Sequence, residues 1–132
     1  MKFMLMMNAP RGEGDWGVMK WAPEDLQAHI RFMKAINKQL SDSGELVGGE
    51  GLAPPGEAKL VRASRNGGPP VTDGPFAESK EYLAGYWIVD VESPERAYAI
   101  AAQASLAPGP GGKPLYLGIE VRQVMSAPCV DF

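Results

Sequence analysis

The chain has 132 residues, 45% hydrophobic and 22% charged, with a formal charge of −3. That is one domain's length, enough to bury a core. An acidic balance without a Lys/Arg cluster argues against a direct nucleic-acid partner. The single cysteine, Cys129, excludes an internal disulfide, and no Cys/His cluster suggests a metal.

Residues 2–8 form a short apolar run, read as a strand covered on both faces. It falls short of the ~7–15 apolar residues of a secretory leader. No later run nears the ~20 residues of a membrane span. A cytoplasmic protein without membrane contact is therefore expected. Residues 9–20 carry Pro10, Gly12, Gly14 and Gly17 and read as a loop. Pro23, Glu24 and Asp25 have first-turn chemistry. Leu26, Ile30, Met33, Ile36 and Leu40 then recur at helical spacing until Gly44, which predicts a helix over 23–43.

Residues 45–52 and 58–63 read as short strands separated by Pro54, Pro55 and Gly56, and 66–70 as a turn. Residues 71–76 lead into the strongest strand, 82–91, rich in aromatic and β-branched residues. Ser93-Pro94-Glu95 is a capped helix start. The helix is expected over 94–106, with Ala97, Ile100, Ala101 and Ala104 inward. After a loop at 108–114, residues 115–125 alternate, with Leu115, Leu117, Ile119 and Val121 inward. Residues 126–132 are a tail, leaving one domain over 1–125.

The order β-α-β-β-β-α-β, with one strand region split by a hairpin, predicts an α+β fold. It is a ferredoxin-like two-layer sandwich: an antiparallel sheet of four or five strands with two helices on one face. The bare face would carry Tyr82, Ala84, Tyr86 and Ile88 from one strand and Tyr116, Glu120, Arg122 and Val124 from another. So aromatic a face calls for a cover, and a second copy packed sheet to sheet supplies one. A homodimer is expected.

The block Asp73-Gly74-Pro75-Phe76-Ala77-Glu78-Ser79-Lys80-Glu81, followed by Leu83 and Gly85-Tyr86, resembles the signature of the YCII-related family in its DGPF subgroup. The opening strand ending in Asn8, the Pro23-Glu24 helix start, Gly44-Glu45-Leu46, Gly51-Leu52 and Ile119-Glu120-Val121-Arg122 agree with it. The resemblance implies a ferredoxin-like fold pairing into a dimeric α/β barrel, and no established activity. Relatives in fold bind small organic molecules between the helix layer and the sheet. The subgroup is often encoded beside extracytoplasmic-function sigma factors, which implies the alternative of a non-catalytic accessory or regulatory protein.

His29, the single histidine, faces the apolar stripe of helix one. It reads either as a general base beside a cavity or as a core-edge residue bonded to a backbone carbonyl. In the wider family a helix-one histidine pairs with an aspartate after helix two, and residues 105–110 here hold no carboxylate. Asp73 is the candidate replacement, as partner of His29 or on the ligand itself; it reads equally as turn chemistry. Phe76 is then a pocket wall. Arg122 shares a face with Glu120, and is either its ion-pair partner or a grip for a ligand carboxylate. Trp16, Met19 and Trp21 either cap a cavity or pack in the core. The glycine-rich stretches lack a phosphate-loop ending, and no cofactor is expected.

Overall fold

A computed structural model of the chain describes residues 1–10, 20–63, 66–68, 71–73 and 81–125, with backbone alone at 71–73. Strand β1 spans Lys2–Pro10, helix α1 Pro23–Asp42, β2 Leu46–Gly51, β3 Lys59–Val61, β4 Val71–Asp73 and β5 Glu81–Asp90. Helix α2 then spans Pro94–Ala104 and β6 Ile119–Gln123. Four strands make an antiparallel sheet in the order β2-β5-β1-β6, while β3 and β4 pair as a separate two-stranded ribbon. This is the expected α+β, ferredoxin-like arrangement.

The apolar opening run becomes a central strand because its alternate residues have an inner face to bury. Phe3, Leu5, Met7 and Ala9 are all buried, and Leu5 and Ala9 are wholly so. They meet Ile36 and Leu40 of α1 and Ala97, Ile100 and Ala104 of α2 in one core, so both helices cover the same face. Burying a residue of the size of Leu5 or Ile100 stabilises the fold by roughly 1.5–3 kcal/mol. The small residues of α2 let that helix lie close to the sheet, and all four predicted inward positions are buried.

The helix ends follow their local chemistry. Pro23 occupies the first turn of α1 with Glu24 and Asp25 beside it. At the other end Gly44, with φ +79°, takes the left-handed position. Its N–H reaches the Ser41 carbonyl and the Glu45 N–H reaches that of Leu40, which closes the last turn. The Ser93 side chain accepts from the Arg96 N–H at the start of α2.

The register corrects the expected bare face. Met4 pairs with Ile88 and Met6 with Tyr86, so Tyr86 and Ile88 do lie opposite the helices. A bulge then intervenes: Met7 pairs with Gly85, but Asn8 pairs with Leu83 and Ala9 with Tyr82. The extra residue, Ala84, reverses the alternation. Tyr82 therefore shares the face of Ala9, and both Tyr82 and Ala84 pack against the core. The last strand also starts later than its alternation predicts. Tyr116 has φ +51°, a conformation no strand holds, and is 70% exposed. On β6, Arg122 pairs with Met4 and Glu120 with Met6, which puts both on the bare face.

Candidate functional site

Helix α1 crosses the sheet toward its β2 edge, and a cleft of about 490 Å³ opens between them. Successive turns of α1 bring His29, Met33 and Asn37 to one stripe, with Leu26 and Ile30 alongside. The opposing wall comes from Gly49, Gly51 and Leu52 at the end of β2 and from Ala84, Gly85 and Trp87 of β5. The bulge at Ala84 shapes that wall, and the Ala84 carbonyl accepts from the Leu52 N–H at 2.8 Å.

His29 is only 8% exposed, and is the buried polar residue of the described core. Its Nδ1 lies 2.9 Å from the Pro108 carbonyl oxygen, beyond the end of α2. A carbonyl can only accept, so Nδ1 carries hydrogen and donates. Trp21 stands edge-on to the imidazole, with ring centroids 5.4 Å apart and planes at 80°. Deeper along the stripe the Trp87 indole N–H donates to Asn37 Oδ1 at 2.8 Å. Trp87 is 7% exposed, so this bond satisfies a polar group that is largely shielded from water. The charged residue of the described lining is Glu50; no Lys or Arg belongs to it.

Of the predicted site residues, His29 and Arg122 have described side chains, and these two lie apart. His29 faces the cleft, and of its two readings the bond to a backbone carbonyl is present. Arg122 lies on the opposite face of the sheet, on the strand at the far edge from β2, 3.8 Å from Glu120 and 73% exposed. Asp73 ends β4, where its backbone pairs with Lys59. Its side chain, the rest of the signature block through residue 80 including Phe76, the residues Trp16 and Met19, and the tail 126–132 all lie outside the described residues. Asn37 was missed, although its spacing from His29 and Met33 marks it as the second polar residue of that stripe. Pro108 was missed because a backbone acceptor has no signature in sequence.

A second charged contact ties the helix layer together. Arg96 of α2 donates to Glu45 through Nε at 2.9 Å and Nη2 at 2.8 Å. The Ser43 hydroxyl adds a third bond at 2.8 Å. These interactions, the Arg96 hydrogen bond first among them, hold the Glu45 carboxyl down at about 2. Among the described residues, no helix is long and apolar enough to cross a membrane, and no three His, Cys, Asp or Glu side chains converge as metal ligands would.

The family model of the YCII-related domain matches residues 1–111. A relative from Rhizobium meliloti (strain 1021), described as an uncharacterised protein, is 34% identical over 87 residues. That match covers 66% of this chain and 69% of the relative.

Proposed function

Since the chain belongs to the YCII-related family, we propose that its α1–sheet cleft binds a small, uncharged and largely apolar organic molecule, with His29 as the group that exchanges a proton with it. The observation that carries this reading is a nearly buried histidine at the wall of a cleft of about 490 Å³. That volume lies within the ~300–1,000 Å³ usual for small-molecule sites. The described lining offers one carboxylate and no cation. Against the described lining a phosphate or carboxylate ligand would lose its water without meeting a fixed cation, which favours a neutral one. The Pro108 carbonyl already orients the ring at Nδ1. Asp73 keeps both its roles in this reading, as partner of His29 or in contact with the ligand, with Phe76 as a wall. Arg122 belongs in this reading to a dimer surface on the opposite sheet face, and the protein works in the cytoplasm.

The test is a screen of neutral aromatic and alicyclic compounds by protein-observed NMR. Binding should perturb His29, Met33 and Trp87 together. Where a compound is turned over, His29→Ala should slow the reaction by about 10²-fold or more, as for loss of a general base. Hits that perturb only residues outside the cleft would overturn the assignment. A second reading, an accessory protein acting with a regulatory partner, is favoured by Tyr98 and Leu106. These large apolar side chains are 54% and 44% exposed on the helix layer, away from the bare sheet face. Under that reading the cleft binds nothing and Tyr98→Asp abolishes partner capture.

A further inference from the structure

We propose that the cleft beside α1 is one half of a longer site: it continues past Leu52 into a second cleft, and its ligand is an elongated neutral molecule with a head near His29 and an apolar tail beyond Leu52. The inference rests on the reading of the first cleft as a ligand site, and adds to it the shape of the molecule and the residue that sets its length.

The two clefts lie end to end along β5. The second has a volume of about 420 Å³ and is lined by residues 52–55, 57 and 58 against residues 81–83. The first takes its sheet wall from residues 49–52 and 84–87. The linings are thus consecutive along β5, and Leu52 belongs to both. The six steps from Glu81 to Trp87 give a wall roughly 20 Å long at the ordinary rise of a strand. Together the two volumes stay within the ~300–1,000 Å³ of small-molecule sites. The bulge at Ala84 falls at the junction between them.

The partition is a side chain on a fixed backbone. The Leu52 N–H donates to the Ala84 carbonyl at 2.8 Å, which ties residue 52 to β5. Beyond it the chain is braced by a single turn. The Glu57 N–H donates to the Pro54 carbonyl at 3.0 Å and the Ala58 N–H to that of Pro55 at 3.1 Å. The Leu52 side chain, by contrast, is 46% exposed and stands outside the core cluster. A half-exposed leucine changes rotamer freely, so it can open or narrow the passage while both walls stay in place.

The lining selects the occupant. In the second cleft Ala53, Pro54, Pro55 and Leu83 offer apolar surface, and the carboxylates of Glu57 and Glu81 belong to exposed residues. No Lys or Arg belongs to the described lining of either cleft. An anionic tail would meet two carboxylates and no counter-charge there. A methylene chain leaves water at no such cost, and each CH₂ that becomes fully buried tightens binding by about fourfold.

The probes are straight-chain phenyl ketones, from acetophenone through butyrophenone to hexanophenone, titrated into the protein and followed by protein-observed NMR. Acetophenone should perturb His29 and Trp87. Lengthening the chain should tighten binding by about two- to fourfold per CH₂ and extend the perturbation to Tyr82 and Leu83. Leu52→Trp should fill the passage. It should bind acetophenone as the parent does and lose the gain with chain length. Acetophenone in the first cleft, with no tightening by longer chains and no change at Tyr82 or Leu83, overturns the proposal and leaves the first cleft a binding site. A Leu52→Trp protein that keeps the parent's gain also overturns it, because the tail then lies elsewhere. If none of the ketones perturbs His29 or Trp87, the reading of the first cleft fails and takes this inference with it. Should Leu52→Trp not fold, the spread of the parent's perturbations with chain length decides alone.

Discussion

Arg96, in the first turn of α2, holds Glu45, just past the end of α1, by two parallel hydrogen bonds of 2.9 and 2.8 Å. The pair joins the exit of one helix to the entry of the other, so it fixes their spacing over the sheet. Glu45 is largely shielded, with 16% of its side chain exposed. Its carboxyl is lowered from 4.5 to about 2 in the folded state. A depressed carboxylate contributes stability that is complete above its unfolded value and is lost as pH falls toward its folded one. The contribution, roughly 1–3 kcal/mol after allowance for solvent screening, should therefore disappear between about pH 4.5 and about pH 2. Urea melts across that range should show the parent converging on Glu45→Gln, which should be less stable at neutral pH and flatter in acid.

The Asn37–Trp87 bond makes a second prediction. Asn37→Leu removes the acceptor and leaves a buried indole N–H without one, at a cost of about 1–3 kcal/mol. Trp87→Phe removes the donor too, so the double variant should lose less than the sum of the singles. Chemical denaturation of the four proteins tests the cycle; strict additivity would mean the two groups do not interact in solution.

Much of this architecture is legible in the residues. The 3.6-residue stripe of α1 turned His29 inward, the four small residues of α2 named its buried face, and Gly44 marked the helix exit. The failures have definite causes. Alternation along β5 assumes an unbroken pleat, and the bulge at Ala84 adds a residue that no side-chain pattern announces, so Tyr82 lands on the other face. The alternation of residues 115–119 continues past Tyr116, whose positive φ ends any strand pairing there. In the site, the histidine was visible and its carbonyl acceptor on Pro108 was not. The acceptor is a carbonyl 79 residues away, on a loop whose path over α1 is set by tertiary packing alone.

Gly51 offers a separation of fold from ligand. A Cβ built there meets nothing within 4 Å, and its φ lies outside the left-handed region. Gly51→Leu should then leave the unfolding free energy within about ±0.5 kcal/mol of the parent's, as for a surface substitution. The added side chain stands at the cleft wall, so any compound found in the screen should bind less tightly, by tenfold or more. Unaltered affinity would place the compound elsewhere.

The corrected bare face gives a sharper dimer prediction. Met4, Met6, Tyr86 and Ile88 form its apolar centre, with Glu120 and Arg122 toward the β6 edge. Light scattering at micromolar concentration should report a dimer, consistent with an interface above about 1,000 Å². Ile88→Arg should give a folded monomer, whereas Tyr82→Arg should cost stability instead, because Tyr82 belongs to the core side. A monomeric parent, or a dimeric Ile88→Arg protein, would count against sheet-to-sheet pairing.

The pairing of β6 with β1 joins the last described strand to the first, Gln123 against Phe3 and Ile119 against Met7. During synthesis β1 leaves the ribosome long before either of its neighbours exists. Its β5 side can be satisfied once β5 has emerged, but its β6 side stays open until translation is nearly complete. In that interval an apolar strand shows a full row of unpaired N–H and C=O groups. A nascent chain halted before residue 119 should therefore recruit chaperones or self-associate. The last strand thus acts as a timing device: its arrival converts a sticky, half-edged sheet into one whose first strand is paired on both sides.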